Sequence, residues 1–276
     1  MSEHSAEFDR QTGRAVPPDQ GLTQAQSDSD DQDVTTAVQG LAGLVADVDE
    51  LEQVLAQIAD LVVLAVPGSD GAGVTVVRAG DGPPVVLAWA VTAAFVREID
   101  HLQYDICGEG PCLTAMRTGR ILVSGSLGSD DRWPRFGGRA ARLQVHSALS
   151  IPLLVRGTVV GALNIYARKR DAFTEHAVRL AEQFAAPAGI TVGNIQVLHA
   201  AHARATQLQA ALTNRAVIDQ AIGILRSRSG GSSEEAFDRL RQTSQGENVK
   251  LADIAQRLVD EAVRRAHARH ARSDNS

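Results

Sequence analysis

Hydrophobic positions change spacing several times along the chain. From Leu41 to Val66 the apolar residues Leu44, Val45, Val48, Leu51, Val54, Leu55, Ile58, Leu61 and Val62 recur every three or four positions, which predicts one helix facing a core. Pro67 and Gly68 end it. Short β-rich runs follow: AGVTVVRAG, a GDGPP turn and VVLAWAV, read as two adjacent antiparallel strands. From Thr92 to Arg142 the pattern is irregular, with a loop CGEGPCLTAMRTGR, in which Pro111 fits a first helical position, and a strand ILVSG. SALSIPLLVRGTVVGALNIYAR gives two more strands that turn at Arg156-Gly157. Phe173-Thr174-Glu175 then opens a helix carried by Val178, Leu180, Phe184, Ala188, Val192 and Ile195, with a kink expected at Pro187.

No breaker occurs after Leu198 until Gly230-Gly231, so the same pattern predicts a long linking helix. Its edge of Leu208, Ala211, Leu212, Arg215 and Ile218 suits pairing with a second copy as a short coiled coil, or packing within one chain. Three helices fit residues 203 to 270. The first ends in the stripe Val217, Ile218, Ala221, Ile222, Leu225. Gly223 interrupts that stripe at a cost of about 1 kcal/mol relative to alanine, which implies close backbone approach there, either to another helix or to RNA. The second helix starts at SSEEAF, with Ser232 and Glu235 at capping-box spacing, and buries Ala236, Phe237 and Leu240. The third follows Asn248 as its N-cap and carries Leu251, Ile254, Ala255, Leu258, Val259, Ala262 and Val263. The fold class is α+β: a sandwich with a mostly antiparallel central sheet, then a long linking helix and a three-helix bundle.

Charge divides the chain. Residues 1 to 40 hold eight acids against Arg10 and Arg14 and few large apolar groups, which predicts a disordered acidic tail. Residues 201 to 276 hold 12 Lys plus Arg against 9 Asp plus Glu, while the whole chain is at −6, so a polyanionic partner suits the C-terminal module. The sequence has no apolar run of 18 residues and no signal-peptide pattern after Met1, which places the protein in the cytoplasm with no membrane partner. Two cysteines, Cys107 and Cys112, are too few for a disulfide framework or a zinc knuckle. They fit core positions, or a redox site if the helix start near Cys112 lowers its pKa. The pairs His199/His202 and His267/His270 have metal-compatible spacing without accompanying acids or cysteines, and read as solvated helix faces. No metal, cofactor or catalytic residue is expected.

Within residues 41 to 200 the segments GEGPCLTAMRTGR, DDRWPRF and LSIPLLVRGTVVGALNIYARKRDAFTEHAVRLAEQFAAPAGITVGN resemble a GAF domain, a fold that senses small ligands and signals. Residues 201 to 276 contain NRAVIDQAIGILRSRSGGSSEEAFDRLRQTSQGENVKLADIAQRLVD, which is similar to the ANTAR domain, an RNA-binding three-helix module of transcription antiterminators. The similarity runs through Ile218, Asp219, Ala221, Gly223, Leu225, Ala236, Phe237, Leu240, Arg241, Ser244, Gln245, Asn248, Leu251 and Ala255. The chain departs from it at Ile222, where the family often has Lys, and at Arg226, where it often has Met.

The resemblance implies a signal-responsive regulator that holds two adjacent RNA hairpins with six-nucleotide loops in nascent transcripts, so that an overlapping terminator hairpin cannot form. The expected RNA-binding residues are Ala221, Gly223, Arg226, Arg228, Arg241, Ser244, Gln245, Asn248 and Lys250. The expected partners are RNA, a second copy of the chain, and a small-molecule or protein signal at the GAF domain. A methionine-sulfoxide-reducing enzyme of the GAF type and a DNA-binding regulator are the alternatives.

Overall fold

The computed structural model describes residues 16–19, 21–44, 51–78 and 85–273, with side chains described as far as Arg265. In chain order the elements are α1 (Gln24–Ala42), α2 (Leu51–Ala65), β1 (Gly71–Arg78), β2 (Val85–Val91), α3 (Ala94–His101) with a π-helical continuation (Leu102–Cys107), and α4 (Pro111–Thr118). There follow β3 (Leu122–Ser124), α5 (Gly137–Arg142), β4 (Ser147–Val155), β5 (Thr158–Ala167), α6 (Glu175–Ser229), α7 (Ser233–Glu247) and α8 (Leu251–Ser273). They form two compact units, residues 1–199 and 200–276, each with its own core.

The first unit is built on one sheet in the order β2-β1-β5-β4-β3 with every neighbour antiparallel. The expected pairing of β1 with β2 is present, Gly73 opposite Val91. β4 and β5 turn at Arg156 and Gly157, whose φ values of 51° and 81° are the left-handed pair that a tight two-residue hairpin requires. Because side chains alternate, β1, β4 and β5 send Val74, Ile151 and Leu163 to one face and Thr75, Ser150 and Asn164 to the other. The first face is covered by α2 and the opening turns of α6, through Leu55, Ile58, Val62, Ala181, Phe184 and Val192. The second is covered by the segment from α3 to α5, through Ile99, Trp133 and Phe136.

Two expectations change here. The acidic tail does not persist through residue 40: from Gln24 the chain is helical, opened by a capping box between Thr23 and Gln26. Val34, Ala37 and Leu41 recur at helical spacing and are buried, while the acids Asp28, Asp31 and Asp33 fall on the remaining faces. Averaged composition hid that stripe, and residues 1–15 lie outside the described set. The helix expected as one piece from Leu41 to Val66 is instead two, since α1 stops at Ala42 before Gly43 and α2 starts at Leu51. Val45, Val48 and the GDGPP turn lie outside the described residues. Pro187 lies inside α6, which runs through it uninterrupted.

The acids of the N-terminal segment have definite partners. Asp19 Oδ1 accepts the backbone N–H of His176 at 2.9 Å, and the Pro17 carbonyl accepts that of Glu175 at 3.3 Å, so this segment satisfies donors that the first turn of α6 leaves unpaired. Asp30 Oδ2 lies 3.0 Å from His176 Nε2, and Arg179 reaches Asp19 at 3.5 Å.

The second unit packs the end of α6 against α7 and α8 around Ala221, Leu240, Ile254 and Ala255, flanked by Val217, Ile218, Leu225 and Leu258. The capping box of Ser232 and Glu235 opens α7 as expected. Asn248 is not the N-cap of α8; it closes α7 at φ 54°, ψ 40°, where asparagine is tolerated better than most residues. There the N–H of Val249 reaches the Ser244 carbonyl, which makes the left-handed motif that commonly ends helices. Phe237 and Val263 are not core residues, being 37% and 49% exposed.

If α1 is part of the sandwich, Leu41→Ala removes a buried contact and lowers the stability of the first unit by about 2 to 4 kcal/mol. Urea unfolding followed by Trp fluorescence measures this, and an unchanged midpoint would mean that α1 does not pack in solution.

Candidate nucleic-acid interface and buried polar cluster

The nine residues expected at the RNA face fall into different environments in the bundle. Ala221 has no exposed surface and is a packing residue of the core. Arg226 is spent on the α6–α7 turn, donating to the Gly231 carbonyl at 3.4 Å and to Ser233 Oγ at 3.2 Å. Ser244 donates to the Val249 carbonyl at 2.6 Å and is engaged locally, whereas Asn248 holds the left-handed cap through its backbone and is itself exposed. Arg241 pairs with Asp238 at 2.9 Å and shares a shallow depression with Ile222, Glu234 and Phe237, where neighbouring carboxylates offset its charge. Gln245 and Lys250 are exposed.

Gly223 and Arg228 are brought together on another side. They line a groove of about 650 Å³ between α6 and α8, with Gln220, Val259, Ala262 and Arg265. Arg228 makes no hydrogen bond or ion pair among the described residues. A Cβ added at Gly223 would meet nothing within 4 Å, so close packing against another helix of this chain is not why glycine stands there. Among the expected residues, then, Gly223, Arg228, Gln245, Asn248 and Lys250 have side chains or backbone open to a partner. Gln220 and Arg265 join them without having been expected. Their signal was present: Gln220 lies three residues before Gly223 on the same helix, and Arg265 falls in a basic run.

The first unit holds a different chemistry on the α3–α5 face of its sheet. Tyr166 Oη donates to Asp100 Oδ1 at 3.2 Å and accepts from Gln103 Nε2 at 2.7 Å. Gln103 Oε1 accepts the backbone N–H of Cys112 at 3.0 Å. Tyr104 Oη lies 2.9 Å from both Cys112 Sγ and Thr75 Oγ1, and Ser150 donates to Asn164 Oδ1 at 3.0 Å. Asp100 Oδ2 and Asn164 Nδ2 are buried with no partner among the described residues. Burial pushes the Asp100 carboxyl up to about 7, against hydrogen bonds from Tyr166 and Gln103 that act the other way. Thr75, Ser150 and Asn164 were legible as polar residues at inward positions of otherwise apolar strands.

Cys112 is fully buried, and burial pushes its thiol up to about 12. A thiol held in its protonated form is a poor nucleophile. Cys107 is also buried and donates to the Arg135 carbonyl at 3.4 Å; both cysteines are free. His199 and His202 are exposed on α6, and the side chains of His267 and His270 lie outside the described set. Among the described residues no group of three or more His, Cys, Asp or Glu is placed to hold a metal ion, and no helix is long and apolar enough to cross a membrane.

A family model described as a GAF domain matches residues 48–192, and one described as an ANTAR domain matches residues 206–259. No curated protein matches the chain in sequence. Among solved structures, the GAF domain of a phosphoenolpyruvate-protein phosphotransferase from Coxiella burnetii is 16% identical, with a TM-score of 0.47, over 63% of this chain and 98% of that one. A type II free methionine-R-sulfoxide reductase from Thermoplasma acidophilum is 17% identical, with a TM-score of 0.41, over 54% of this chain and 97% of that one.

The raised carboxyl of Asp100 has a consequence for stability. An acid whose pKa is higher folded than unfolded favours the fold while it stays protonated, and loses that advantage as pH rises from about 4 to about 7. Asp100→Asn keeps an uncharged group of the same shape, so its melting temperature is expected to exceed wild type at pH 8 and to approach it at pH 4.5. The difference at pH 8 is at most about 4 kcal/mol, and thermal melts at the two pH values measure it. Equal differences at both would show that Asp100 is charged in the fold.

Proposed function

The chain belongs to the GAF-domain family and carries an ANTAR domain behind it; on that footing we propose that it is a signal-responsive RNA-binding antitermination regulator acting in the cytoplasm as a homodimer. The observation that carries the reading is the succession of the two domains along one helix, α6, whose residues belong to both. A small-molecule or protein signal taken by the GAF domain alters how two copies pair, and α6 passes that change to the bundles. Each bundle grips one of two adjacent hairpins in the nascent transcript, and the overlapping terminator cannot form.

Bundle chemistry supports a single-stranded polyanion. Arg228 and Lys250 are exposed cations for phosphates, and Gln245 offers an amide to base edges. Pairing of two copies is supported by the stretch from Val197 to Ala216, in which every residue is exposed, including Leu208 and Leu212 at 66% and 64%. A helix with no packed face draws stability from a partner, and two such helices supply each other. Complete burial of Cys112, which pushes its thiol up, argues against that thiol as the nucleophile of a reductase.

Competition between a double-hairpin RNA and duplex DNA of equal length, at two salt concentrations, tests the partner. RNA is expected to win at both, with Arg228→Ala weakening binding about three- to tenfold across RNA sequences and lowering the salt dependence. Preference for DNA would replace the reading with a DNA-binding regulator. Transmission is tested by deleting residues 1–174: the shortened protein is expected to differ from the full chain in dimer strength and RNA affinity. If both are unaltered and the full chain shows no signal-dependent change, α6 transmits nothing.

A further inference from the structure

We propose that the groove between α6 and α8 receives one unpaired RNA base over Gly223, with Arg265, which lies beyond the segment matched as ANTAR, facing the same RNA. The inference rests on the RNA-binding reading and adds to it a seat for a base and a cation from α8. Its starting point is Gly223. Glycine in a helix interior is destabilising, and here nothing in the chain requires it, since its Cβ would point into open space. That space belongs to the groove of about 650 Å³, a volume within the range of sites that hold small ring systems.

The walls fit a base better than a phosphate alone. Ile224, Val259 and Ala262 are apolar surfaces for the face of a ring, and Gln220 carries both a donor and an acceptor for its edge. Arg228 from α6 and Arg265 from α8 line the same groove, so phosphates on either side of an inserted base meet a cation. Arg265 is paired with Glu261 at i, i+4, an exposed ion pair of low intrinsic worth that a phosphate can displace. From Arg264 to Arg272 the sequence has four arginines and two histidines, with no acid between Glu261 and Asp274. Duplex DNA keeps its bases stacked, whereas loop bases of RNA are free to splay out, which matches the groove to the loops.

The test uses the full-length protein and a synthetic RNA with two six-nucleotide loops, intact and with one loop position at a time made abasic. Gly223→Leu is expected to fill the groove, weaken binding at least tenfold, and leave the melting temperature unchanged or raised; Gly223→Ala, a smaller intrusion, gives a lesser loss. One loop position is expected whose abasic substitution weakens wild type but not Gly223→Leu. Arg265→Ala lowers the slope of log affinity against log salt by about one. Wild-type affinity in Gly223→Leu, or no such loop position, overturns the proposal. A change of oligomeric state in Gly223→Leu by light scattering also overturns it, because the groove would then be a contact between copies. Folded wild type that fails to bind any hairpin RNA instead removes the antitermination reading on which this one stands.

Discussion

The opening turns of α6 are the constraint on which the first unit depends. Ala177, Val178, Ala181, Phe184, Ala188 and Val192 close one face of the sheet, and a helix offers such a stripe only if its start is fixed. The start is fixed by residues far away in sequence. Asp19 and the Pro17 carbonyl take the free N–H groups of the first turn, and Asp30 holds His176. The acids of the N-terminal segment thus sit at the positive end of a helix dipole, where negative charge is favourable. Asp19 is held below the usual carboxylate range: burial pushes it up, but the His176 N–H, the Thr174 side chain and the Arg179 and His176 charges together outweigh that.

The two faces of the same sheet are used for different ends. The α2 and α6 side is apolar and close-packed, as a structural core should be. The α3–α5 side carries a hydrogen-bonded chain from Asp100 through Tyr166, Gln103 and Cys112, with Tyr104 and Thr75 attached. In a low-dielectric interior such a network is costly wherever it is incomplete, and Asp100 Oδ2 and Asn164 Nδ2 leave it incomplete. A π-helical segment, a departure from regular backbone that is frequent at functional sites, lies over this region and ends in the left-handed Gly108.

Regular periodicity carried well from sequence to fold: the β1–β2 and β4–β5 pairs, the capping box at Ser232 and the stripe of α8 were all readable. What failed had a common cause, which is that local patterns do not report distant partners. Asp19 and Asp30 read as part of a solvated tail because His176 and Arg179, their partners, lie far along the sequence. Asn248 read as a helix start because asparagine serves both ends of helices, and only its left-handed φ decides between them. Of the expected RNA residues, Ala221 and Ser244 were chosen by motif membership, yet the motif also contains the residues that build the bundle, while Arg226, a departure from the motif, is spent on the turn after α6. Gly223 is the converse case, an exception to helix propensity that packing within the chain does not explain.

The exposed stretch of α6 from Val197 to Ala216 has a thermodynamic consequence. Between Glu182 and Asp219 the sequence has no acid, so no i, i+4 ion pair strengthens this part of the helix, and no buried side chain does so either. Its hydrogen-bond ladder is held by intrinsic propensity and by the packed turns at its two ends. For this segment helicity is therefore a local equilibrium, set by the propensities of its twenty residues rather than by the packing of either core.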